Sequence, residues 1–311
     1  MIPYFDKEYL EGKLDFKSLI ECLRQAFQED FTIPTRHHHN FENPMEGIES
    51  TLLLMPAWKV GEHLGVKTVI VSPNNGKYNL PSIHGIYTLF NAQNGLPIAQ
   101  MDAKVLTTLR TAAASALASD FLSRKDSETL LMVGTGALAP KLIQAHSTIR
   151  PIKKVLIWGR NFEKAKRLLE DLSFLNIEIQ AIENLEENIP NADIISCATL
   201  SKNPLIFGKY LKAGQHIDLV GSYKPDMREA DDEVIQKSEI FVDVMEGPIK
   251  ETGDIVIPIQ KGILKSEKIY GDLFNLCRSQ VSGRKNENEI TVFKSVGHAL
   301  EDLAAARLAI K

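Results

Sequence analysis

The sequence of 311 residues has little cysteine, no excess of one charge and no long apolar run. Its 3 cysteines, Cys22, Cys197 and Cys277, are widely scattered, which excludes a disulfide framework and favours a reducing cytoplasm. A net charge of −4 gives no reason to expect a nucleic-acid or membrane surface. No apolar stretch reaches the roughly 18 residues of a membrane span, and the acidic N-terminal residues are unlike a signal peptide.

What is present is the composition of an ordinary globular protein, with 44% hydrophobic and 24% charged residues. The chain is long enough for two hydrophobic cores. Turn signals at residues 73–76 and 91–95 separate strand patterns in the first region, which predicts an α+β domain with an antiparallel sheet. The predicted elements are a helix over 15–28, strands over 50–56, 65–72 and 82–101, and an alanine-rich helix over 106–122.

Strands and helices alternate from residue 129 onwards, which predicts a doubly wound parallel sheet. The predicted strands are 129–133, 154–158, 177–181, 193–197, 216–220 and 240–243, and the helices are 139–147, 162–172 and 229–237. The pattern changes near Lys285. A strand within 289–297 and a closing helix over 299–310 follow, and we expect this tail to pack back on the first region.

A glycine-rich turn with the spacing Gly134-x-Gly136-x-x-Ala139 lies between the first of these strands and its helix. The first glycine permits a tight turn, the second lets the backbone approach a pyrophosphate, and the small third residue lets helix and strand pack closely. The helix N-terminus attracts phosphate. We therefore expect a dinucleotide at this turn. The expected contacts are Gly134, Thr135, Gly136, Ala137 and Leu138.

The end of the next strand governs the choice of cofactor. An NAD site places an acid there for the ribose 2′-hydroxyl, whereas arginine suits the 2′-phosphate of NADP. The chain has Arg160 and Asn161 and no acid at this point, and a guanidinium can bind phosphate through two hydrogen bonds. We expect both residues to contact the cofactor and NADPH to be preferred. The alternative is that Arg160 only caps the strand and that NADH is accepted as well.

Several longer motifs resemble one known family. They are RTAAASALA over 110–118, the glycine-rich turn, and TVFKSVG over 291–297. Shorter matching strings are Met55-Pro56-Ala57, Gly65-Val66-Lys67 and Gly253-Asp254. Together they resemble the ornithine cyclodeaminase/μ-crystallin family essentially from end to end.

This resemblance implies a Rossmann doubly wound parallel sheet inserted into an α+β substrate-binding and dimerisation domain. The substrate domain would comprise residues 1–118 and 286–311, and the dinucleotide-binding domain 119–285. Family members act on small α-amino or α-imino acids with a nicotinamide cofactor and dimerise through the substrate domain. The chain is thus expected to be a cytoplasmic, homodimeric enzyme with a small-molecule substrate, and to have no nucleic-acid or membrane partner.

The same motifs imply the residues of the substrate site. Arg36 and Arg110 match the arginines that hold the substrate carboxylate, since arginine binds a carboxylate through two hydrogen bonds. Lys67 matches the active-site lysine, and burial near two arginines should lower its pKa towards neutrality, which suits proton exchange. Met55 is a further expected substrate contact. The alternative for each of the three cations is an ordinary surface residue.

Loops after later strands are expected to complete the cofactor site. The fourth Rossmann strand is followed by residues that would touch the nicotinamide ribose, and a turn follows the fifth strand. Residues near 296 would close over the nicotinamide ring. The expected contacts on these loops are Ala198, Thr199, Val220, Gly221, Ser222, Val296 and Gly297.

Two acids of the ornithine cyclodeaminases are missing from this chain. Those enzymes carry an aspartate in the turn after the fifth strand and another acid two residues before the methionine of the Met-Pro motif. Tyr223 and Leu53 stand at these positions here, and Asp226 is expected to be only a turn acid. The chain therefore lacks the grip on a dibasic substrate and resembles the imine reductases of the family.

Histidines offer weaker signals. His84 falls on a strand of the family's site and is a candidate to orient a substrate ring or relay a proton, with a hydrogen-bonded sheet histidine as the alternative. The run over 37–39 does not predict a metal site, because adjacent residues of an extended chain point to opposite faces and no carboxylate or cysteine completes a site nearby.

These residues predict NAD(P)H-dependent reduction of a cyclic 2-imino acid, with Lys67, Arg110 and His84 as catalytic candidates. Δ1-Pyrroline-2-carboxylate, reduced to L-proline, is the first substrate expected, and Δ1-piperideine-2-carboxylate, reduced to L-pipecolate, the second. One alternative is an ornithine cyclodeaminase or an alanine or N-alkyl-amino-acid dehydrogenase of the same fold. The other is a crystallin-like protein that binds cofactor with little turnover.

Overall fold

A computed structural model describes residues 1–43 and 47–311. The helices are α1 (Lys7–Lys13), α2 (Phe16–Gln28), α3 (Ala103–Leu122), α4 (Ala139–Ile149), α5 (Phe162–Asp171), α6 (Leu185–Asn188), α7 (Asp232–Lys237), α8 (Pro248–Glu251), α9 (Gly253–Gln260), α10 (Leu273–Cys277) and α11 (Ala299–Ala309). The strands are β1 (Tyr4–Phe5), β2 (His37–Phe41), β3 (Ser50–Trp58), β4 (His63–Val71), β5 (Ile83–Asn91), β6 (Pro97–Asp102), β7 (Thr129–Val133), β8 (Lys154–Trp158), β9 (Glu178–Ile182), β10 (Ile194–Cys197), β11 (His216–Leu219), β12 (Glu239–Val242), β13 (Ile269–Asp272) and β14 (Thr291–Lys294).

The chain divides into two compact units. Unit 1 comprises residues 1–111 and 298–311, and unit 2 comprises residues 112–297. Helix α3 crosses the boundary, since it runs from Ala103 to Leu122. Across the described ranges, no helix has both the length and the apolar character needed to span a membrane.

Unit 1 is built on a sheet with the strand order β1-β6-β5-β4-β3-β2. Strands β2 to β6 pair in antiparallel fashion, as the turn signals predicted. Helix α11 packs against α2 and against strands β3 and β4. Helix α2 begins at its cap Asp15 and buries Leu19, Leu23 and Phe27 on one face, which confirms the helix predicted over 15–28.

The two faces of this sheet differ. Met55, Lys67 and Tyr87 are directly opposite one another on β3, β4 and β5, and all three are buried. The neighbouring row, Leu54 and Thr68 with Ile86, is only half-buried. Side chains alternate along a strand, so the first row marks an inner face and the second an outer, largely apolar face.

Unit 2 contains an all-parallel sheet with the order β13-β12-β14-β11-β10-β7-β8-β9. From β7 the chain winds outward through β8 and β9 on one side and through β10 and β11 on the other. This reversal is the switch point of a Rossmann fold, where dinucleotides bind at the carboxyl ends of the strands. The predicted fold class, a Rossmann sheet inserted into an α+β unit, is confirmed.

The tail differs from the expectation. Strand β14 lies between β11 and β12 in the parallel sheet of unit 2. All four of its residues are buried, as is usual for a strand in the interior of a parallel sheet. Residues 286–297 therefore belong to unit 2, and the closing helix α11 belongs to unit 1.

A second difference concerns the helix predicted over 229–237, which begins only at Asp232. The Asp231 side chain caps it by accepting a hydrogen bond from the Val234 amide at 2.9 Å. Just before it, Ala230 forms an isolated parallel bridge with Ile206, and the Glu229 carbonyl accepts hydrogen bonds from the amides of Leu205 and Ile206. The sequence pattern did not predict the helices α1, α6, α8, α9 and α10 or the strands β2 and β13 either. Of these, α9 contains Pro258, which is atypical of a helix interior.

Candidate active site

A buried charge cluster lies on the inner face of the unit 1 sheet. Lys67 Nζ is 2.7 Å from Asp302 Oδ2. Arg110 Nε donates to Asp302 Oδ1 at 2.9 Å, and Arg110 Nη1 donates to Glu301 Oε2. Lys67 Nζ also donates to the Thr107 hydroxyl at 3.3 Å. Asp302 thus bridges the lysine and the arginine that the sequence singled out.

Three elements position this cluster. Lys67 comes from the middle of β4, Arg110 from α3, and the two acids from the first turn of α11. A helix N-terminus carries partial positive charge that favours acids. Because α11 packs on β3 and β4, its first turn presents Glu301 and Asp302 to the cations.

Burial determines the protonation of the cluster. It is the largest cause that lowers the pKa of Lys67 to about 8, with Arg110 and Arg36 lowering it further and Asp302 opposing the shift. Burial would raise the pKa of Asp302, but the charges of Arg110 and Lys67 outweigh it and hold that pKa below its usual range. The cluster therefore holds an ionised carboxylate next to a lysine that exchanges its proton near neutral pH.

Arg36 and Met55 belong to the same neighbourhood. Met55 is the strand partner of Lys67. Arg36 immediately precedes His37, the strand partner of Leu54, and its charge is close enough to lower the pKa of Lys67. The structure thus brings together Arg36, Met55, Lys67 and Arg110, the predicted substrate residues.

The structure does not bring His84 to this cluster. His84 pairs with Ile70, three positions from Lys67 along β4, in a register without a shift. An odd number of positions places the two side chains on opposite faces of the sheet, and His84 is exposed. Its catalytic role stays a prediction. The histidine run over 37–39 forms strand β2 with exposed side chains.

Sequence reasoning missed Glu301 and Asp302. Both are fully buried, and they are the only acids of a helix that otherwise consists of apolar residues and Arg307. Two adjacent acids in such a helix were a signal, because buried carboxylates require partners. The sequence could not show that those partners are Lys67 and Arg110, because both lie far away along the chain. Arg110 is 191 residues from Glu301 and 192 residues from Asp302.

In unit 2, the predicted phosphate-binding turn lines a cleft of about 410 Å³. The cleft lies where β7, β8 and β10 end. Its lining comprises Gly134, Thr135, Gly136, Trp158, Gly159, Arg160, Asn161, Lys164, Ala198, Thr199, Leu200, Ser201 and Leu205. Seven of the predicted cofactor residues are in this list, so the structure groups them around one cavity. Leu205 was not singled out from the sequence.

The glycines of the turn have separate roles. Gly134 has a φ of +121°, and a Cβ there would lie 2.6 Å from the Ala198 carbonyl oxygen. By contrast, no atom lies within 4 Å of a Cβ built on Gly136. The first glycine therefore lets two loops meet, and the second leaves open space into which a phosphate fits. The residues present fit a dinucleotide.

The remaining predicted cofactor residues stand beside the cleft rather than along its lining. Ala137 and Leu138 lead into α4. Ser222, with its two predecessors, follows β11. The amides of Val296 and Gly297 donate to Asp243 Oδ2 at 2.7 and 2.6 Å.

A buried acid, Glu229, joins the loop after β10 to the turn after β11. It accepts hydrogen bonds from Thr199, Gly221 and Ser222. Sequence reasoning treated residue 229 only as the start of a helix. Its burial raises its pKa to about 7, with Lys294 opposing the rise.

These features define a class: a two-unit protein with a Rossmann dinucleotide cleft and a buried lysine–arginine–carboxylate cluster. The model of the ornithine cyclodeaminase/mu-crystallin family matches residues 8–310. The chain belongs to this family, as its motifs indicated.

Individual relatives were found by sequence and by structure. A Δ(1)-pyrroline-2-carboxylate reductase of Colwellia psychrerythraea is 38% identical over 307 residues, 98% of this chain and 97% of that protein. The Thermococcus litoralis Δ(1)-pyrroline-2-carboxylate reductase, solved with NADH and L-proline, matches with a TM-score of 0.91 and 34% identity, over 99% of this chain and 96% of that chain. An archaeal alanine dehydrogenase dimer with bound NAD matches with a TM-score of 0.90 and 26% identity, over 99% and 94%.

The cluster makes a prediction about stability. Arg110→Ala removes the partner of two buried carboxylates and should lower the free energy of unfolding by about 3–5 kcal/mol. Lys67→Ala should cost less, about 1–2 kcal/mol, because Asp302 keeps its bond to Arg110. Urea unfolding followed by circular dichroism measures both values. Equal losses in the two variants would contradict Arg110 as the main partner of the acids.

Proposed function

We propose that this protein is an NAD(P)H-dependent imine reductase that converts Δ1-pyrroline-2-carboxylate to L-proline and Δ1-piperideine-2-carboxylate to L-pipecolate. The observation that carries the proposal is the Lys67–Asp302–Arg110 cluster on the inner face of the unit 1 sheet. Support comes from the reductases of Colwellia psychrerythraea and Thermococcus litoralis, which match almost the whole chain.

The cluster has a hydrogen-bond donor left for a substrate carboxylate. Within the described residues, Arg110 uses Nε and Nη1 on Asp302 and Glu301, and no hydrogen bond engages Nη2. In the proposed complex, Nη2 and Arg36 bind the substrate carboxylate. Because Asp302 and Glu301 fix the guanidinium, little side-chain entropy is lost on binding.

The reaction adds a hydride to the imine carbon and a proton to the ring nitrogen. A bound nicotinamide cofactor supplies the hydride. In our proposal, Lys67 holds the proton at Nζ beside the substrate nitrogen, and its pKa of about 8 lets it donate and regain that proton near neutral pH. Asp302 stays ionised and orients the ammonium group.

The missing acids favour a cyclic imine over a diamine. Leu53 lies two residues before Met55 on β3, and residues two apart share a face of the strand. An apolar side chain therefore stands where an acid would face a second substrate amine. Tyr223 is exposed, and Asp226 forms a surface ion pair with Lys202 at 2.7 Å.

A side-by-side assay tests the function. NADPH and NADH oxidation would be measured with Δ1-pyrroline-2-carboxylate, Δ1-piperideine-2-carboxylate, Δ1-pyrroline-5-carboxylate, and pyruvate with amines. We expect turnover with the first two and a loss of about 100-fold or more in kcat for Lys67→Ala, as for removal of a general acid. The Lys166→Ala variant, which changes a surface lysine, is the control.

Other outcomes point to other functions. Ammonia release from L-ornithine with NAD would favour a cyclodeaminase. Turnover of pyruvate with amines would favour an amino-acid dehydrogenase. Cofactor binding without oxidation on any of these substrates would favour a crystallin-like role.

We also propose that NADPH is the preferred cofactor. The described lining of the cleft contains Arg160 and Lys164 and no Asp or Glu. Asn161 caps α5 by accepting a hydrogen bond from the Lys164 amide, which leaves Arg160 exposed at the cleft. A guanidinium there suits a 2′-phosphate, although the relatives in the two solved structures carry NADH and NAD.

The preference is measurable as a ratio of kcat/KM values. Arg160→Ala should lower kcat/KM for NADPH by about 10-fold or more, as expected for the loss of a charged hydrogen bond, and change that for NADH little. Lys166→Ala, which removes a cation outside the cleft lining, should leave both values unchanged. A wild-type preference for NADH would refute the assignment.

Finally, we propose that unit 2 binds the dinucleotide and that unit 1 binds substrate and forms a homodimer. The outer face of the unit 1 sheet supports dimerisation, because its apolar row at Leu54 and Ile86 is only half-buried in one chain. A contiguous apolar surface would be covered by the second chain of such a dimer.

Light scattering tests the dimer. The wild-type protein should have the mass of a dimer, and Leu54→Glu should shift it towards the monomer because a charge would be buried in the interface. Leu96→Glu, at an exposed turn, should leave the mass unchanged. A monomeric wild-type protein would exclude this proposal.

A further inference from the structure

Glu229 joins two loops of unit 2 through one buried carboxylate. Its Oε1 accepts hydrogen bonds from the amide and the hydroxyl of Thr199, at 2.7 and 2.8 Å. Its Oε2 accepts from the amides of Gly221 and Ser222, at 2.8 and 3.2 Å. The loop after β10 is thereby tied to the turn after β11.

The two segments also touch through their backbones. A Cβ added to Gly221 would lie 2.0 Å from the carbonyl oxygen of Thr199 and 2.1 Å from its amide nitrogen. Only a glycine allows this approach. Without the Glu229 carboxylate, the donors on both segments would lose their shared acceptor, although the Val220 amide would still donate to the Cys197 carbonyl at 2.8 Å at the ends of the two strands.

Further buried charges hold Glu229 itself. Its amide donates to Asp254 Oδ1 at 2.8 Å. Lys294 Nζ lies 3.1 Å from Asp254 Oδ2 and 4.0 Å from Glu229 Oε2. All three side chains are fully buried, so the carboxylate is fixed beneath the loops and does not line the cleft.

The strand order shows which half of a dinucleotide these loops would meet. β8, with Arg160 at its end, lies on one side of β7, and β10 and β11 lie on the other. In a Rossmann fold the adenosine ribose contacts the end of the second strand and the pyrophosphate contacts the turn after the first. The nicotinamide half of a bound dinucleotide would therefore extend towards Thr199 and Gly221.

We propose that Glu229 is a positioning residue of the cofactor site, which holds the loop after β10 and the turn after β11 in the shape that receives the nicotinamide half. This inference rests on the proposed function, since it requires that unit 2 binds a nicotinamide dinucleotide. Glu229 would therefore affect the binding of the nicotinamide half and not that of the adenosine half, although its side chain does not line the cleft.

Glu229→Gln tests the proposal, because it keeps the side-chain size but places an amide nitrogen, itself a donor, against backbone donors. Calorimetric titration of the full-length protein would compare NADPH and NADH with adenosine diphosphate, which lacks the nicotinamide nucleoside. We expect the variant to bind NADPH and NADH about tenfold more weakly and adenosine diphosphate within about twofold of the wild-type affinity.

Asp218→Asn is the matched control. Asp218 is also a fully buried acid of unit 2. It accepts hydrogen bonds from Ser115 and Ser196 at 2.9 and 2.7 Å, and its Oδ2 lies 3.2 Å from His146 Nε2. None of these three partners lines the cleft. A general loss of stability should therefore appear in this variant without a change in the ratio of NADH to adenosine diphosphate affinity.

The outcomes separate the two proposals. If Glu229→Gln lowers the affinity for all three ligands equally, or for none of them, the positioning role is overturned. Cofactor binding by the wild type, and with it the proposed function, is unaffected by that result. A wild type that binds neither NADPH nor NADH overturns both. If Glu229→Gln does not fold, Thr199→Val, which loses the hydroxyl bonded to Glu229, should show the selective loss, and Thr199→Ser should restore the affinity.

Discussion

Buried carboxylates are the constraint on which both units depend. An unpaired buried charge is too costly to keep, so each of these acids needs a cation or a set of donors in place. Asp302 is met by Lys67 and Arg110, Asp254 by Lys294, and Glu229 by donors on two loops. The pairings of Asp302 with Arg110 and of Asp254 with Lys294 join segments that are far apart in the sequence, so these acids specify tertiary contacts of the two units.

This constraint also tunes the chemistry. A lysine buried alone would lose its proton well below its usual pKa, and an arginine alone would have no fixed orientation. The charge of Asp302 opposes the loss of the lysine proton, so the pKa of Lys67 falls only to about 8. Asp302 and Glu301 also fix the orientation of the Arg110 guanidinium by binding its Nε and Nη1. The acids thus keep the cations charged and oriented in advance of a ligand, which lowers the cost of binding.

Local features were predictable from the sequence, and long-range pairings were not. The glycine-rich turn and the alternation of strands and helices predicted the Rossmann sheet, because both depend on residues near one another in the chain. The partners of Asp302 and the insertion of β14 depend on segments far apart, which no local pattern reports. His84 shows the limit of motif matching: its strand was predicted correctly, but the register that turns its side chain away from Lys67 appears only in the paired sheet.

The position of β14 has a consequence for the edge of the unit 2 sheet where its strands end. Carboxyl ends of parallel strands meet at one edge of a sheet, so a late strand between β11 and β12 places residues 295–297 beside the turns after its neighbours. Asp243, which follows β12, binds the amides of Val296 and Gly297, just as Glu229 binds the loops after β10 and β11. In both cases a buried carboxylate holds two neighbouring loops of this edge together through hydrogen bonds. The shape of this edge therefore depends on hydrogen bonds to buried carboxylates that lie beneath its loops.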